Sequence, residues 1–265
     1  MTDSLIIVYA ALVGAVIGSF LNVCIHRWPR DESVVAPRSR CPRCGNAIAW
    51  YDNVPMLSWL ALRGRCRHCG LRISLRYPLV ELAVALIWGG AVLAFAWGSL
   101  SLTLPAIGEA LRLAVFLTVL LGIALTDAQH YIIPDEFSIG GLVIGVALSF
   151  LPGGITPMAA GIGAAVGFAL LWLVAVLGEA AFRKPAMGGG DIKMMAFIGA
   201  FLGWQGVLLT IFLGSLLGAL IFGPISYRTG KLVPFGIFLA IGAAVTVLWG
   251  DTLIAWYTTT ILGVA

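Results

Sequence analysis

Long apolar runs, separated by short polar breaks, cover most of the 265-residue sequence and constrain its fold more than any other feature. Hydrophobic residues make up 60% of the chain and charged residues only 11%, about half the charged share of a soluble domain. Within a bilayer only helices and closed barrels satisfy their own backbone hydrogen bonds, and the alternating ~10-residue strands of a barrel do not appear. The sequence therefore predicts an all-α, polytopic integral membrane protein.

The polar breaks divide this sequence into about eight predicted transmembrane helices. The segment that begins at Ile192 has about 12 apolar residues, fewer than the roughly 20 that a span requires, so we expect it to be short, tilted or sunk beneath the surface. The tail from Asp251 is amphipathic, and it either crosses the membrane or lies in the interface. The predicted helices are residues 5–25, 78–98, 111–127, 137–152, 158–181, 192–204, 206–226 and 233–250.

The distribution of Lys and Arg predicts the orientation of these helices. Ten of the 16 lie between Arg27 and Arg76, in or beside the first long loop. With eight helices and this loop in the cytoplasm, 15 basic residues are cytoplasmic and only Arg112 lies outside, a strong positive-inside pattern. Asp127 and Asp191 then both lie at the cytoplasmic edge of the membrane, and both termini face away from the cytoplasm.

The loop at residues 28–77 is the one predicted soluble module, and it carries two C-x-x-C pairs, Cys41 with Cys44 and Cys66 with Cys69. Two such pairs can complete a tetrahedral site of four thiolates, and a reducing cytoplasm disfavours disulfides. We therefore predict a zinc-ribbon-like loop between helices 1 and 2 that holds a structural Zn²⁺. Four reduced thiols without a metal are the alternative.

Other residues of this region receive simpler assignments. Cys24 lies at the end of the first helix, where we expect a small buried residue, and His68 is expected to be exposed. Zinc ribbons elsewhere bind nucleic acid, but the short tether of this basic loop to two membrane helices favours contact with anionic membrane lipids. We expect no nucleic-acid partner.

Two of the 12 acidic residues stand out by position. Asp127 lies at a helix C-terminus, where the macrodipole opposes a negative charge, so stability gives no reason for it. Asp191 is a possible helix N-cap, but it follows three glycines, Gly188, Gly189 and Gly190, that allow another backbone to approach closely. By contrast, Asp135 follows a proline at a predicted helix start, where an acid is favourable.

Two aspartates at one depth suggest the dyad of an aspartic protease. Two close carboxyl groups cannot easily both ionise, so one keeps a proton while the other acts as a base on a shared water. We therefore predict Asp127 and Asp191 as catalytic residues, and Gly188 to Gly190 as the place where an extended substrate segment lies.

The residues also resemble a known family over nearly the whole chain. The resemblance rests on "GSFLNVCIHRWP" at 18–29, both cysteine pairs, "YDNVPMLSWLALRGRCR" between them, "SLRYPLVE" at 74–81, "DAQHYIIPD" and "GGGDIKMM". Together these resemble the type IV prepilin leader peptidases, bacterial intramembrane aspartic proteases with a glycine-x-glycine-aspartate motif. Under this resemblance, Gly188 and Gly190 are the motif glycines, and Asp127 and Asp191 are the catalytic pair.

The resemblance implies a function at the cytoplasmic face of the bacterial inner membrane. It implies cleavage of a short basic leader from prepilins or pseudopilins, just after a glycine. Many members then methylate the new N-terminal amine, commonly of phenylalanine, with S-adenosylmethionine, and members without the cysteine loop often lack that activity. Since this chain keeps the loop, the resemblance supports a bifunctional enzyme.

The methyl-donor site has only weak candidates in the sequence, and no Gly-rich nucleotide-binding turn follows a strand. Asn22, Asp52, Asn53 and Glu81 are polar residues that either line a cofactor site or brace the loop. The predicted domains are a first transmembrane helix at 1–27, the cysteine loop with methyltransferase-associated motifs at 28–77, and a transmembrane aspartic peptidase domain at 78–265.

Two other functions remain open at the level of sequence. In a transporter, Asp127 and Asp191 would bind cations or relay protons, since intramembrane carboxylates are functional by default. Such sites more often lie near the midplane, on broken helices of two related halves, and no repeat is evident here. A membrane-anchored zinc-ribbon module that binds nucleic acid or a partner is the other alternative, but it would need neither Asp127 nor the glycines.

Overall fold

The computed structural model describes residues 2–96, 103–184, 187–229 and 234–263, and among these residues the regular secondary structure is helical. The predicted all-α class is confirmed, and six of the described helices are long and apolar enough to cross a membrane by length and composition. The α-helices are α1 (Thr2–Arg27), α2 (Leu57–Ala61), α3 (Arg76–Ala96), α4 (Leu104–His130), α5 (Asp135–Leu148), α6 (Pro157–Phe182), α7 (Gly189–Thr229) and α8 (Phe235–Trp256).

Most helix boundaries lie close to the predicted ones, with a clear difference at α4. This helix begins at Leu104 instead of residue 111, because Glu109 and Arg112 pair at 3.6 Å along it and do not interrupt it. The predicted segments 78–98 and 233–250 each extend slightly beyond the described residues. After α8 the tail continues as a π-helical turn, Tyr257–Ile261, in direct continuation of the helix.

The chain forms two compact units, Met1–Thr118 and Val119–Ala265, and α4 passes from the first into the second. In the first unit α1 and α3 pack closely as antiparallel helices. A β-carbon at Gly14 would lie 2.7 Å from the carbonyl oxygen of Val84, and one at Gly18 would lie 2.8 Å from Cα of Glu81. The glycine of the "GSFLNV" motif therefore allows backbone contact between these helices.

In the second unit α6 and α7 pack through glycines in the same way. A β-carbon at Gly199 would lie 2.0 Å from the carbonyl oxygen of Gly163, and one at Gly167 would lie 2.2 Å from the carbonyl oxygen of Met195. Close packing of small residues is how apolar helices associate without a hydrophobic driving force between them.

The chain reverses direction within α7, at Gly203, whose φ of 68° and ψ of −179° are not helical. Before this residue α7 runs parallel to α5, because Lys193 contacts Asp135 near the start of both segments and Phe201 packs on Gly145 further along.

After Gly203 the second half of α7 runs antiparallel to α8. Thr210 bonds to Thr246, while Gly218 lies against Phe238 near the start of α8. The predicted separation of segments 192–204 and 206–226 therefore corresponds to a real reversal, and the first of them is short, as expected.

Candidate active site and metal centre

Asp127 lies in the last turn of α4 and is 6% exposed. Its Oδ2 accepts a hydrogen bond of 3.2 Å from the backbone N–H of Ile237, in the first turn of α8. The N-terminus of a helix carries a partial positive charge and unpaired N–H groups, so it suits a carboxylate. The start of α8 thus compensates for the unfavourable position of Asp127 at the end of α4.

Asp191 lies in the first turn of α7, and its backbone N–H donates to the carbonyl of Gly188 at 3.2 Å. The three glycines before it have different surroundings. A β-carbon at Gly188 would lie 3.3 Å from Oδ2 of Asp191, and one at Gly190 would lie 3.0 Å from Cβ of Ile133, whereas one at Gly189 would meet nothing within 4 Å. The two tight positions are the two glycines of the predicted motif.

The side chain of Ile133 connects the surroundings of the two aspartates. It contacts Gly190, which precedes Asp191. On its other side it lies close to Gly236, where an added β-carbon would be 2.9 Å from Cδ1 of Ile133. The same β-carbon would be 2.8 Å from Oδ2 of Asp127. The structure therefore brings together two carboxyl groups that are 64 residues apart in the sequence.

An ion pair beside Asp191 joins α7 to α5. Nζ of Lys193 lies 2.7 and 2.8 Å from the two carboxylate oxygens of Asp135. Asp135 occupies the first turn of α5 after Pro134, the position predicted for it at a helix start. The side chains are 40% and 55% exposed, so this pair contributes about 0–1 kcal/mol and orients the helix ends more than it stabilises them.

The four cysteines of the two C-x-x-C pairs converge in the first unit. The sulfur atoms of Cys41, Cys44, Cys66 and Cys69 all lie within 4.8 Å of one another, and those of Cys41 and Cys69 are 3.6 Å apart. That separation is far too long for a disulfide, and it is close to the ~3.8 Å between ligands of a tetrahedral thiolate site with bonds of ~2.3 Å. The cluster fits a metal ion with four thiolate ligands.

Both cysteine pairs adopt the same turn. In the first, the N–H of Cys41 bonds to the carbonyl of Asn46 at 3.0 Å, and the N–H of Gly45 bonds to the carbonyl of Cys41 at 2.9 Å. The second pair repeats these bonds: the N–H of Cys66 donates to the carbonyl of Leu71 at 2.8 Å, and the N–H of Gly70 donates to the carbonyl of Cys66 at 3.0 Å. Gly45 and Gly70 have φ values of 72° and 68°, a conformation that glycine adopts without strain.

The thiols of the cluster differ in acidity. Backbone N–H groups of Cys44 and Arg43 lower the pKa of the Cys41 thiol to about 6. For the Cys69 thiol, the lowering effect of the Leu71 backbone is outweighed by burial and by hydrogen bonds to the other three thiols, which raise its pKa to about 11. Cys24 is buried and is not part of the cluster, and His68 is exposed, as expected for both.

Three of the four candidate cofactor residues make contacts that brace the first unit. Asn22 Nδ2 donates to the carbonyl of Tyr77 at 3.1 Å. Glu81 is buried, and its Oε2 accepts from the N–H of Met56 at 2.7 Å.

Asp52, the third of them, accepts two hydrogen bonds from Arg67, at 2.7 and 2.5 Å. The Arg67 hydrogen bonds hold the pKa of the Asp52 carboxyl below its usual value. Asn53 is exposed and lines a cavity beside α1.

Sequence reasoning missed the residues that surround Asp127. Gly236 and Ile237 are 109 and 110 residues further along the chain, and only tertiary structure places them there. The one signal available was "VPFGIF", a proline and a glycine at the start of an apolar helix.

Comparison with known proteins gives matches over most of the chain. Residues 12–95 match the bacterial peptidase A24 N-terminal domain, and residues 114–223 match the type IV leader peptidase family. Proteins named prepilin leader peptidase/N-methyltransferase are similar to this chain. The one from Aeromonas hydrophila is 38% identical, over 95% of this chain and 93% of its own length.

Two further relatives carry the same name. The Pseudomonas aeruginosa protein is 36% identical, over 93% of this chain and 91% of its own length. The Myxococcus xanthus protein is 40% identical over 86% of this chain, which spans 65% of that protein. No solved structure matches the chain.

Proposed function

The chain belongs to the type IV leader peptidase family, and on that premise we propose that it is a bifunctional processing enzyme. It removes the short basic leader of type IV prepilins or pseudopilins, and it then methylates the amine that cleavage exposes. Membership of this family supports the peptidase and gives no support to a transporter.

The catalytic pair of this proposal is Asp127 and Asp191. The observation that carries it is the contact of Asp127 with the start of α8, together with the side chain of Ile133 that touches the surroundings of both aspartates. The hydrogen bond from Ile237 caps the first turn of α8 and also fixes the orientation of the Asp127 carboxyl group. A fixed carboxyl group near a second one suits the acid–base chemistry of peptide hydrolysis.

The proposed reaction uses one ionised and one protonated carboxyl group. The ionised group takes a proton from water, whose oxygen bonds to the carbonyl carbon of the scissile peptide. The protonated group donates a hydrogen bond to the oxyanion that develops there. The C–N bond then breaks, and the leaving amine takes a proton from the pair. In this scheme Gly188, Gly189 and Gly190 lie along the extended substrate segment.

The proposal gives the four clustered cysteines a structural zinc ion. A closed tetrahedral set of thiolates leaves no open position for a substrate, so the ion fixes the loop and takes no part in catalysis. Its role is to hold the two cysteine turns together. The separations of the four sulfur atoms, all within 4.8 Å of one another, suit one zinc ion bound between these turns.

Similarity to proteins named prepilin leader peptidase/N-methyltransferase and the intact cysteine loop support methyl transfer. S-adenosylmethionine supplies the methyl group; the lone pair of the free amine accepts it, and S-adenosylhomocysteine and a proton are released. We assign this activity to the region of residues 28–77, and we assign peptidase activity to the helices of 78–265, with residues 1–27 as the first transmembrane helix.

The proposed location is the bacterial inner membrane, with the dyad at the cytoplasmic face. The excess of basic residues in and beside the cysteine loop supports this orientation, and the same residues face anionic lipid headgroups. A prepilin has the same arrangement, a basic leader followed by an apolar helix. The junction between its leader and helix then lies at the depth of the dyad.

Purified protein in detergent, incubated with a prepilin and S-adenosylmethionine, tests both activities. We expect a product that has lost its leader after a glycine and gained the mass of one methyl group. An intact precursor would contradict the peptidase, and a cleaved but unmethylated product would contradict the transferase alone.

A further inference from the structure

A cavity of about 400 Å³ lies within the first unit, between the last part of α1 and the segments before and after the first cysteine pair. Along α1 it extends from Val16 to Arg27, which is roughly 16 Å at the helical rise per residue. Because α1 is long and apolar enough to span a membrane, the Val16 end lies within the hydrocarbon layer and the Arg27 end lies at its surface. The cavity has no place in the peptidase mechanism described above.

The two ends of this cavity differ in polarity. At the inner end the wall is formed by Val16, Phe20 and Val23, whose spacing places them on one face of α1. Val16 and Phe20 are 60% and 51% exposed, as expected of side chains that contact lipid chains. At the outer end the wall includes Arg27 and Arg38. A molecule that fills the cavity therefore has an apolar part and a polar part, in the order in which a membrane lipid presents them.

The outer end of the cavity is positively charged. Arg27 donates from its two terminal nitrogens to the carbonyls of Ser33 and Pro37, both at 2.8 Å. Each of these nitrogens carries a second hydrogen, so the guanidinium can also donate to a ligand. Arg38 follows this segment directly and is exposed. The residues that line the cavity, all in the described part of the chain, include no carboxylate. Two guanidinium groups without a carboxylate favour an anion, and a phosphate can accept from both.

The surroundings of the outer end match the headgroup region of a membrane. Trp50 lines the cavity there and is 75% exposed. Tryptophan is enriched at the depth of the headgroups, because its ring is apolar and its N–H is polar. The nearest acids along the chain, Asp31 and Glu32, are exposed and are not part of the cavity wall. The outer end therefore suits the headgroup of a lipid with a net negative charge.

We propose that this cavity binds one anionic phospholipid, in a defined site that goes beyond the general attraction of basic loop residues to headgroups. The lipid phosphate pairs with Arg38 and with the remaining N–H groups of Arg27, and one acyl chain lies along Val16, Phe20 and Val23. A zwitterionic lipid is disfavoured, because its ammonium group would meet two arginines and no carboxylate. Since Arg27 also holds two carbonyls of the segment before the first cysteine pair, the bound lipid fixes that segment. This inference rests on the membrane location alone and depends on neither enzymatic activity.

Native mass spectrometry of the delipidated full-length protein, titrated with dioleoylphosphatidylglycerol in detergent, tests the site. We expect one lipid to bind tightly, and Arg38→Gln to weaken its binding about tenfold, because a charge-assisted hydrogen bond is lost. Arg72→Gln removes an exposed arginine of the same loop outside the cavity, and it should bind this lipid as the wild type does. Dioleoylphosphatidylcholine has the same chains and should bind weakly and equally to all three proteins. An unchanged thermal unfolding midpoint shows that each variant is folded.

Photocrosslinking of a phosphatidylglycerol with a photoreactive headgroup to wild-type protein gives a second measurement that needs no variant. We expect the label on the peptides that contain Arg38 and Trp50. Excess phosphatidylglycerol should abolish this labelling, whereas the same concentration of inorganic phosphate should not. Displacement by inorganic phosphate would indicate an anion site that does not require a lipid, and it would contradict the proposal.

Two other results would also overturn the site. The first is equal affinity of the wild type and Arg38→Gln for phosphatidylglycerol, or label confined to other peptides, and it would leave both proposed activities unaffected. The second is weaker binding of a prepilin peptide to Arg38→Gln with unchanged lipid binding, which would assign the cavity to a protein segment.

Discussion

Oδ2 of Asp127 lies 2.8 Å from the position that a β-carbon at Gly236 would occupy. The first turn of α8 can therefore approach the carboxyl group of α4 closely only because residue 236 has no side chain. The same turn supplies the hydrogen bond from Ile237. The orientation of one carboxyl group of the proposed dyad thus depends on a glycine that follows it by 109 residues.

We predict that Gly236→Ala strongly impairs prepilin cleavage. The added methyl group would also lie 2.9 Å from Cδ1 of Ile133, so Asp127 or Ile133 has to move. A displacement of about 1 Å at a reacting group costs roughly 10²-fold in rate. Gly140→Ala is the matched control, because a β-carbon at Gly140 meets nothing within 4 Å. Comparable kcat/KM values for the two variants would show that this contact has no role.

We predict one zinc ion per chain, bound by the four clustered cysteines. Replacement of both Cys66 and Cys69 by Ser should release it and increase amide exchange throughout the loop, because two of the four ligands are lost. Cys24→Ala removes a thiol outside the cluster and should leave the metal content unchanged. Metal analysis and hydrogen exchange are the measurements, and wild-type protein that contains no zinc would contradict the assignment.

We predict that Asp135→Asn retains substantial cleavage activity. Its partner Lys193 and the carboxylate itself are both well exposed, so loss of the ion pair removes about 1 kcal/mol or less. Cleavage rates and the thermal unfolding midpoint should both remain close to those of the wild type. A loss of activity as large as that of Asp127→Asn would place Asp135 in the catalytic machinery instead.

We predict that methyl transfer is separable from proteolysis, because the two reactions require different groups. Protein with Asp191→Asn should still methylate a pilin that has already been cleaved, supplied with labelled S-adenosylmethionine. The label should appear on the N-terminal residue, and uncleaved precursor should remain unlabelled in the same preparation. Failure of this variant to label cleaved pilin, when wild-type protein does so, would mean that the reactions share Asp191.

The sequence was sufficient to predict features that depend on local composition. The apolar segments, the break between segments 192–204 and 206–226, and the pairing of two C-x-x-C turns all follow from hydropathy and spacing. The start of α4 could not be located, since Glu109 and Arg112 look like a polar break until their pairing along the helix is known.

The surroundings of Asp127 were also beyond prediction. They combine α8 with the Ile133 segment, and no pattern within either segment indicates which helix end it will meet. The same holds for the ion pair between Lys193 and Asp135, which are 58 residues apart.

The most direct test of the central claim is the rate of prepilin cleavage by protein in which Asp127 or Asp191 is replaced by Asn. Asparagine keeps the shape of the side chain but can neither accept nor hold the shared proton. We predict that each single variant inserts normally and loses at least about 10³-fold in kcat/KM, and that the double variant is no worse than either, because residues that act as a unit are non-additive. Near-normal cleavage by either single variant would contradict the dyad.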